Sequence, residues 1–467
     1  MIKLMITAAS SNSGKTAITC GLLSLLERKG FDPCAFKCGP DYIDPMFHRS
    51  VMGIQSTNLD VFLAGEDGIR QIFASGSRGH DAAVCEGVMG YYDGRMPGSA
   101  EGSAWHVADL LDMPAILVVR PKGSALTLAA VIKGLSEFKT PGRICGVIFN
   151  DCSEMFYQTY AASIESQSGV PVLGYLPHME EAGFESRHLG LMTAGEIDDL
   201  ADRIVSIGYM MDETIDLERL ISIAGWSDGP AQAGAAPSPD PDAVHAKRAA
   251  APVKIAVAQD QAFSFIYDET LTALAQAGAD IEYFSPLSDE AIPAGACGLY
   301  LPGGYPELYA GELAKNTRML ESIREAVSSG MPTIAECGGF LYLSDALEDT
   351  EGKSWKMAGV LPGSAADTGK LVRFGYGYIS SGEDTMLIKK DEQIPVHEFH
   401  YWDSTDTGCD MHFVKANGSR NWDFGFTSDT LYAGFPHLYP AGFGGKLAKR
   451  FVEAAAKFET EKAEAEA

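Results

Sequence analysis

ITAASSNSGKT, residues 6–16, decides how the first half of this chain folds. The residues leading into it, IKLMITAA, form an apolar run suited to a buried strand, and those leaving it, TAITCGLLSLLERKG, space their apolar side chains as a helix does. Strand, small-residue loop and helix in that order make a P-loop, with Ala9 standing where the pattern GxxxxGKT has its first glycine. In such a loop the backbone N–H groups, here those of Ser13, Gly14, Lys15, Thr16 and Ala17, cradle phosphates. Lys15 reaches the β- and γ-phosphates, and the Thr16 hydroxyl can bind Mg²⁺. The expected ligand is ATP with Mg²⁺.

Beyond this loop the pattern repeats. DAAVCEGV, AILVV and RICGVIFN read as further buried parallel strands between helical stretches, which makes residues 1–225 an α/β domain with a P-loop NTPase-type parallel sheet. Residues 226–252, WSDGPAQAGAAPSPDPDAVHAKRAAAP, lack apolar periodicity and read as a linker. Alternation resumes at VKIAVAQD, ADIEYFS, GLYLPGG and PTIAE, giving a second α/β domain over 253–457, and the acidic stretch 458–467 reads as a helical tail. A length of 467 residues is too great for one core, so two domains agree with size.

The formal net charge of −27 argues against binding nucleic acid or an anionic membrane, and it obliges any anionic substrate to meet a local positive field. No apolar run approaches the ~18 residues that cross a bilayer. The opening MIKLMITAAS is too short for a signal peptide, and nine cysteines without framework spacing suit reduced thiols in a cytoplasm.

Two acidic clusters follow the P-loop. KCGPDYIDPMFH carries Asp41 and Asp44 beside Lys37, and CEGVMGYYDG carries Glu86 at a strand end with Asp93 in the loop beyond. Ligands of open α/β sheets sit outside the carboxyl ends of strands, where a carboxylate can hold Mg²⁺ or orient a reacting group. Helix caps and Asx-turns are the alternative for these residues, and Asp93 suits a turn. Thr16 and Glu86 are the candidate Mg²⁺ ligands.

In the second half, MPTIAECGGFLYL (331–343) sets Cys337 between a short apolar run and two glycines. A strand–turn–helix elbow there would expose its sulfur to backbone N–H groups, as a nucleophile requires, although a small buried core residue reads equally well. Gly303 and Gly304 follow another strand, and their N–H groups can stabilise an oxyanion together with Gly338. A cysteine nucleophile needs a base, and His397, His400 and His437 are candidates. HEFH lacks the i,i+4 spacing of a zinc protease, and Cys409 with His412 lacks a second ligand pair.

These stretches, with NLDVFL, RHLGL, AVAQDQAFSFIY, FSPLSD and the late PHLYP, resemble the cobyrinate a,c-diamide synthase family in the same order over nearly the whole chain. The resemblance implies an ATP domain similar to dethiobiotin synthetase and a class I glutamine amidotransferase domain of flavodoxin-like fold. It implies amidation of two side-chain carboxylates of cobyrinic acid, with L-glutamine as nitrogen donor and ATP making an acyl phosphate. Carried over by position, Cys337 is the nucleophile and His437 its base, and Glu86, Asp41 and Asp44 act in the synthetase site.

The sequence departs from the pattern in places. Tyr439 stands where many class I glutaminases have an acid two residues after the histidine, which leaves open what orients His437. In VVRPKGSALTLAA, Arg120 and Lys122 replace an expected acid and could touch phosphate or carboxylates. His48, Arg187 and His188 are candidates for the positive field. Hydrogenobyrinate and nickel-sirohydrochlorin are alternative substrates, and a nucleotide-dependent switch with an inactive amidotransferase domain is the alternative from another class. Ser10, where switch ATPases of the MinD type carry a signature lysine, argues against the last. Oligomeric state, a homodimer included, is left open.

Overall fold

The computed structural model describes residues 1–182, 194–225 and 252–466. The expected linker, apart from Pro252, and Arg187 and His188 lie outside the described residues. Cα packing divides the chain into two units, one of Met1–Val61 with Gly65–Ala236 and one of Phe62–Ala64 with Pro237–Ala467.

In the first unit β1 (Ile2–Ala8) is buried on both faces, as a central strand of a parallel sheet covered by helices must be. Around it run β2 (Pro33–Cys38), β3 (Ser56–Leu59), β4 (Ala82–Glu86), β5 (Ala115–Val119), β6 (Ile144–Asn150) and β7 (Val172–Leu176). All seven are parallel, in the order β3-β2-β4-β1-β5-β6-β7. The helix Lys15–Arg28 leaves the P-loop and buries Ile18, Leu22, Leu25 and Leu26, the i, i+4, i+7, i+8 stripe legible in the sequence. From β1 the chain crosses to β2 on one side of the sheet, and from β4 it crosses past β1 to β5 on the other. At that switch point ligands of open α/β sheets bind, and there Ile6 and Lys37 both pair with Glu86 in register.

The second unit is built on a sheet of β8 (Val253–Ala258), β9 (Ala279–Phe284), β10 (Gly298–Leu301) and β11 (Thr333–Glu336), completed by two late strands. Between β11 and those strands lie β12 (Ala346–Glu348), β13 (Ser354–Lys356), β14 (Ser364–Asp367), β15 (Arg373–Ser381), β16 (Ile394–His400), β17 (Trp402–Ser404), β18 (Met411–Lys415) and β19 (Asn421–Phe424). They form two four-stranded, mostly antiparallel sheets that the sequence reading did not anticipate. The chain then returns through β20 (Phe426–Thr427) and β21 (Leu431–Gly434), so the main order is β20-β21-β11-β10-β8-β9, with only β20 antiparallel. The loops after β10, β11 and β21, three neighbouring parallel strands, therefore emerge side by side. The last helix, Lys446–Glu466, runs unbroken through the stretch expected as a tail.

Candidate active sites

The first site lies at the carboxyl ends of β1, β2 and β4. Gly14 takes a left-handed φ of +90°, and a Cβ there would fall 1.9 Å from Asn150 Nδ2. Only glycine allows the loop to close under Asn150, whose Nδ2 donates to Ser13 O at 2.9 Å. Lys15 Nζ donates to Met89 O at 2.8 Å and to Ser10 O at 3.3 Å, and burial and the neighbouring Lys37 pull its pKa down.

Thr16 Oγ1 donates to Glu86 Oε1 at 2.8 Å, and Lys37 Nζ reaches the same oxygen at 2.8 Å while also pairing with Asp44. All three of these charged groups are buried. Burial pushes Glu86 up despite the Lys37 ammonium beside it. Burial also opposes the charges of Asp44 and Lys37, but their attraction outweighs it, so Asp44 is held below the usual carboxylate range and Lys37 above the usual amine range. Glu86 Oε2 is buried with no hydrogen-bond partner, an orphaned carboxylate oxygen next to the Thr16 hydroxyl.

Asp41 Oδ1 accepts from Ile43 N at 2.8 Å where the helix Ile43–Met52 begins, and Asp93 Oδ2 accepts from Gly90 N at 3.0 Å in a turn. Arg120 donates to Asn12 O at 3.2 Å and pairs with Asp151, so it braces the P-loop from outside, and Lys122 is exposed. His48 supplies no positive field. It is wholly buried with Nδ1 3.0 Å from Ser56 Oγ, and burial holds its pKa at about 4, which leaves it neutral at pH 7.

The second site lies beyond β10, β11 and β21. Cys337 stands between β11 and the helix Gly338–Leu343 at φ 48° and ψ −103°, outside the regions a non-glycine residue favours, and its N–H donates to Gly434 O at 2.8 Å. The elbow has the expected form, but the sulfur is not exposed. Cys337 is 8% accessible, and beside it a Cβ at Gly338 would lie 2.9 Å from Pro306 Cδ, so the turn after β10 packs close to the elbow. Burial, Glu307 and Glu398 push the thiol's pKa far up against the opposing pull of the Gly338 N–H.

A Cβ at Gly338 would also lie 3.1 Å from Gly304 N, so the turn after β10 packs directly against the start of the helix that follows Cys337. His437 follows β21, and a Cβ at Gly303 would strike its Cε1 at 2.5 Å, so bare backbone leaves room for the ring. His437 N donates to His397 O at 2.8 Å. His397 is buried, and burial and the charge of His437 hold its pKa at about 3. His400 stacks on Phe435 with centroids 3.7 Å apart and meets Glu398 Oε1 and Trp402 O. Of the three histidine candidates, His437 alone follows a strand next to the elbow's own. His412 bonds Asp423, and no cluster of three or more acidic, histidine or cysteine ligands occurs among the described residues.

Three residues escaped the sequence reading. Asn150 ends a strand that was read only as core, Met89 contributes a carbonyl, and Glu336 lies within 3.7 Å of His437 Nδ1. A strand-end Asn after the apolar run ICGVIF was a usable signal. Nothing in the sequence marked Met89.

A P-loop with a buried carboxylate in one unit and a strained cysteine elbow in the other define a class of protein: a glutamine-hydrolysing C–N ligase driven by ATP. Residues 4–189 match the CobQ/CobB/MinD/ParA nucleotide binding domain, and residues 254–440 match the CobB/CobQ-like glutamine amidotransferase domain. The chain is 35% identical to the cobyrinate a,c-diamide synthase of Priestia megaterium over 97% of its own length and 96% of the relative's. Against the same enzyme of Clostridium tetani it is 38% identical over 94% and 97%, and against that of Caldanaerobacter subterraneus 36% over 97% and 98%. The chain belongs to the cobyrinate a,c-diamide synthase family.

Proposed function

We propose that this chain converts the a and c side-chain carboxylates of cobyrinic acid into amides, using ATP and glutamine, in cobalamin biosynthesis. The observation that carries the reading is the pairing, in one chain, of the Thr16–Glu86–Lys37 cluster at a P-loop with the Cys337 elbow beside His437.

A carboxylate is a poor electrophile, so the γ-phosphoryl group of ATP is first moved onto it. ADP leaves, and the acyl phosphate then loses phosphate to ammonia as the amide forms. The backbone N–H groups of Ser13, Gly14, Lys15, Thr16 and Ala17 hold the phosphates, and Lys15 exchanges its carbonyl partners for phosphate oxygens. Thr16 and Glu86 would hold Mg²⁺, which the orphaned Glu86 Oε2 beside a hydroxyl suits. Bound there, the ion would neutralise phosphate charge. Lys37 and Asp44 fix Glu86 in place, and Asp41 shapes the adjoining loop by accepting from the Ile43 N–H.

In the other unit His437 takes the Cys337 proton as sulfur attacks the glutamine amide. The N–H groups of Gly304 and Gly338 hold the oxyanion, the proton goes to the departing ammonia, and water then cleaves the thioester to glutamate. Mass spectrometry of cobyrinic acid incubated with the protein, ATP, Mg²⁺ and glutamine tests the proposal, with hydrogenobyrinic acid and nickel-sirohydrochlorin as parallel substrates. A product two amide substitutions from cobyrinic acid is expected. An unchanged cobyrinic acid beside an amidated alternative macrocycle overturns the substrate assignment.

A further inference from the structure

A cysteine–histidine pair works best when a third group fixes the imidazole, and here the residue two places beyond the histidine cannot do so. Tyr439 is buried and packs edge-on against Tyr267, with ring centroids 5.1 Å apart. An acid reaches His437 from a different strand. Glu336 ends β11, immediately before the nucleophile, and is fully buried. Its Oε2 lies 3.7 Å from His437 Nδ1 and accepts from the Tyr300 hydroxyl at 3.1 Å. Its Oε1 accepts from Leu438 N–H at 3.1 Å, and Leu438 is the residue after the base. The carboxylate thus bonds the backbone of the segment that carries the base and faces its ring within ion-pair distance.

Strand pairing makes this grip rigid. Glu336 faces Gly434 in the register of β11 with β21, and the next N–H along, that of Cys337, bonds Gly434 O. One peptide link therefore joins the acid to the nucleophile, and two residues, Phe435 and Pro436, separate the paired Gly434 from the base. A wholly buried carboxylate is costly unless it is hydrogen-bonded, and two of the hydrogen bonds here, from Tyr300 and Leu438, come from groups that do no chemistry. They supply the support that an acid facing a histidine needs.

We infer that Glu336 is the positioning residue for His437. It holds the proton on Nδ1 so that Nε2 is free to take the Cys337 proton, and it stabilises the imidazolium formed by that transfer. No net proton passes to Glu336. The inference rests on the reading of Cys337 and His437 as the glutaminase pair.

Steady-state glutaminase kinetics of full-length Glu336→Gln across pH test it, with ammonia-driven amidation and the thermal midpoint as checks of folding. The isosteric amide can keep the Leu438 bond through its oxygen and donate from Nε2 to the Tyr300 hydroxyl, but it carries no charge. The expected loss is roughly 10²–10⁴-fold in kcat with KM for glutamine little changed. The acid limb of kcat/KM moves to lower pH, since the imidazolium loses its counter-ion. Glu336→Asp recovers part of the rate. In a His437→Asn background Glu336→Gln costs nothing more, because its effect runs through His437. Glutaminase within a few-fold of wild type with an unmoved pH profile overturns the inference. So does an additive loss in the His437→Asn background, or a loss shared equally with ammonia-driven amidation and the thermal midpoint. Cys337→Ala separates the two levels. Retained glutamine turnover in that variant removes the underlying pair, whereas its loss beside a wild-type-like Glu336→Gln removes Glu336 alone.

Discussion

His48 sits entirely out of water on the helix Ile43–Met52, and burial holds its pKa at about 4, with Asp44 pulling it up and Lys37 and Arg49 pulling it down. A histidine whose folded pKa lies below its unfolded value binds its proton more readily when unfolded. Its neutral form therefore stabilises the fold fully above about pH 6.5, and that contribution is lost as pH falls through 6.5 towards 4. The expected loss by pH 4 is ~3 kcal/mol. A His48→Gln variant should show a shallower fall in thermal midpoint over that window than wild type, and equal slopes would show that His48 does not titrate on unfolding. Cys337 makes the second prediction at this scale. If it only releases ammonia, Cys337→Ala abolishes glutamine-dependent amidation yet amidates normally from a concentrated ammonium salt at mildly alkaline pH. A packing role alone would lower both activities together through lost stability. Glu86→Gln should do the reverse, keeping glutaminase while diamide formation falls roughly 10²-fold, as loss of the carboxylate proposed to hold Mg²⁺ should cause. Product formation within a few-fold of wild type would make Glu86 a strand-end residue and nothing more.

In the elbow that carries Cys337, the second glycine sets how close β10 can come. A Cβ at Gly339 would lie 2.0 Å from Leu301 O, a backbone atom that cannot swing away. Gly339→Ala should therefore cost ~1–3 kcal/mol of stability and shift the elbow enough to remove most glutamine-dependent turnover. An unchanged thermal midpoint with full turnover would mean that β10 yields readily. Elements of this kind, strand then glycine turn then helix, were legible because their signals are local: β1 with its P-loop, and β11 with GGFLYL. β3 was not. Of its residues, Ser56 and Asn58 are turn formers by propensity, yet both are buried, as is Thr57 between them. Distant partners satisfy two of them, Ser56 beside His48 Nδ1 and Asn58 Nδ2 donating to Gly39 O and Asp41 O. The sheets between β12 and β19 were also missed. Gly375 and Gly377 interrupt the alternation of β15, and a Cβ at Gly377 would strike the Phe413 ring at 2.2 Å, so glycine there serves cross-strand packing and weakens the strand signal. The sites divide the same way. Lys15 with Thr16, and Cys337 with its glycines, are sequence neighbours. The links from Lys37 to Glu86, from Asn150 to Ser13 and from Glu336 to His437 exist only once parallel strands set their ends together.

At the scale of the whole molecule, charge is the dominant fact. The chain carries −27 at neutral pH, and the reading above gives it a macrocycle bearing several carboxylates. Long-range repulsion between the two is screened by salt, while contacts inside the synthetase site, where Lys15 and Lys37 are buried, are screened far less. Raising ionic strength from about 0.01 M to about 0.15 M shortens the screening length from ~30 Å to ~8 Å, so distant surface carboxylates drop out first. kcat/KM for cobyrinic acid should therefore rise with salt over this range, by a few-fold, as encounter of like charges becomes easier. The same titration should leave KM for glutamine nearly flat, because a zwitterion without net charge feels little of that field. Both parameters come from one set of assays in which salt is the only variable and chloride is checked against acetate for specific ion effects. A kcat/KM for the macrocycle that falls as salt rises would show the opposite balance. The substrate would then be drawn in by a local positive field strong enough to outweigh the acidic surface, and long-range repulsion would no longer describe how this protein meets its anion.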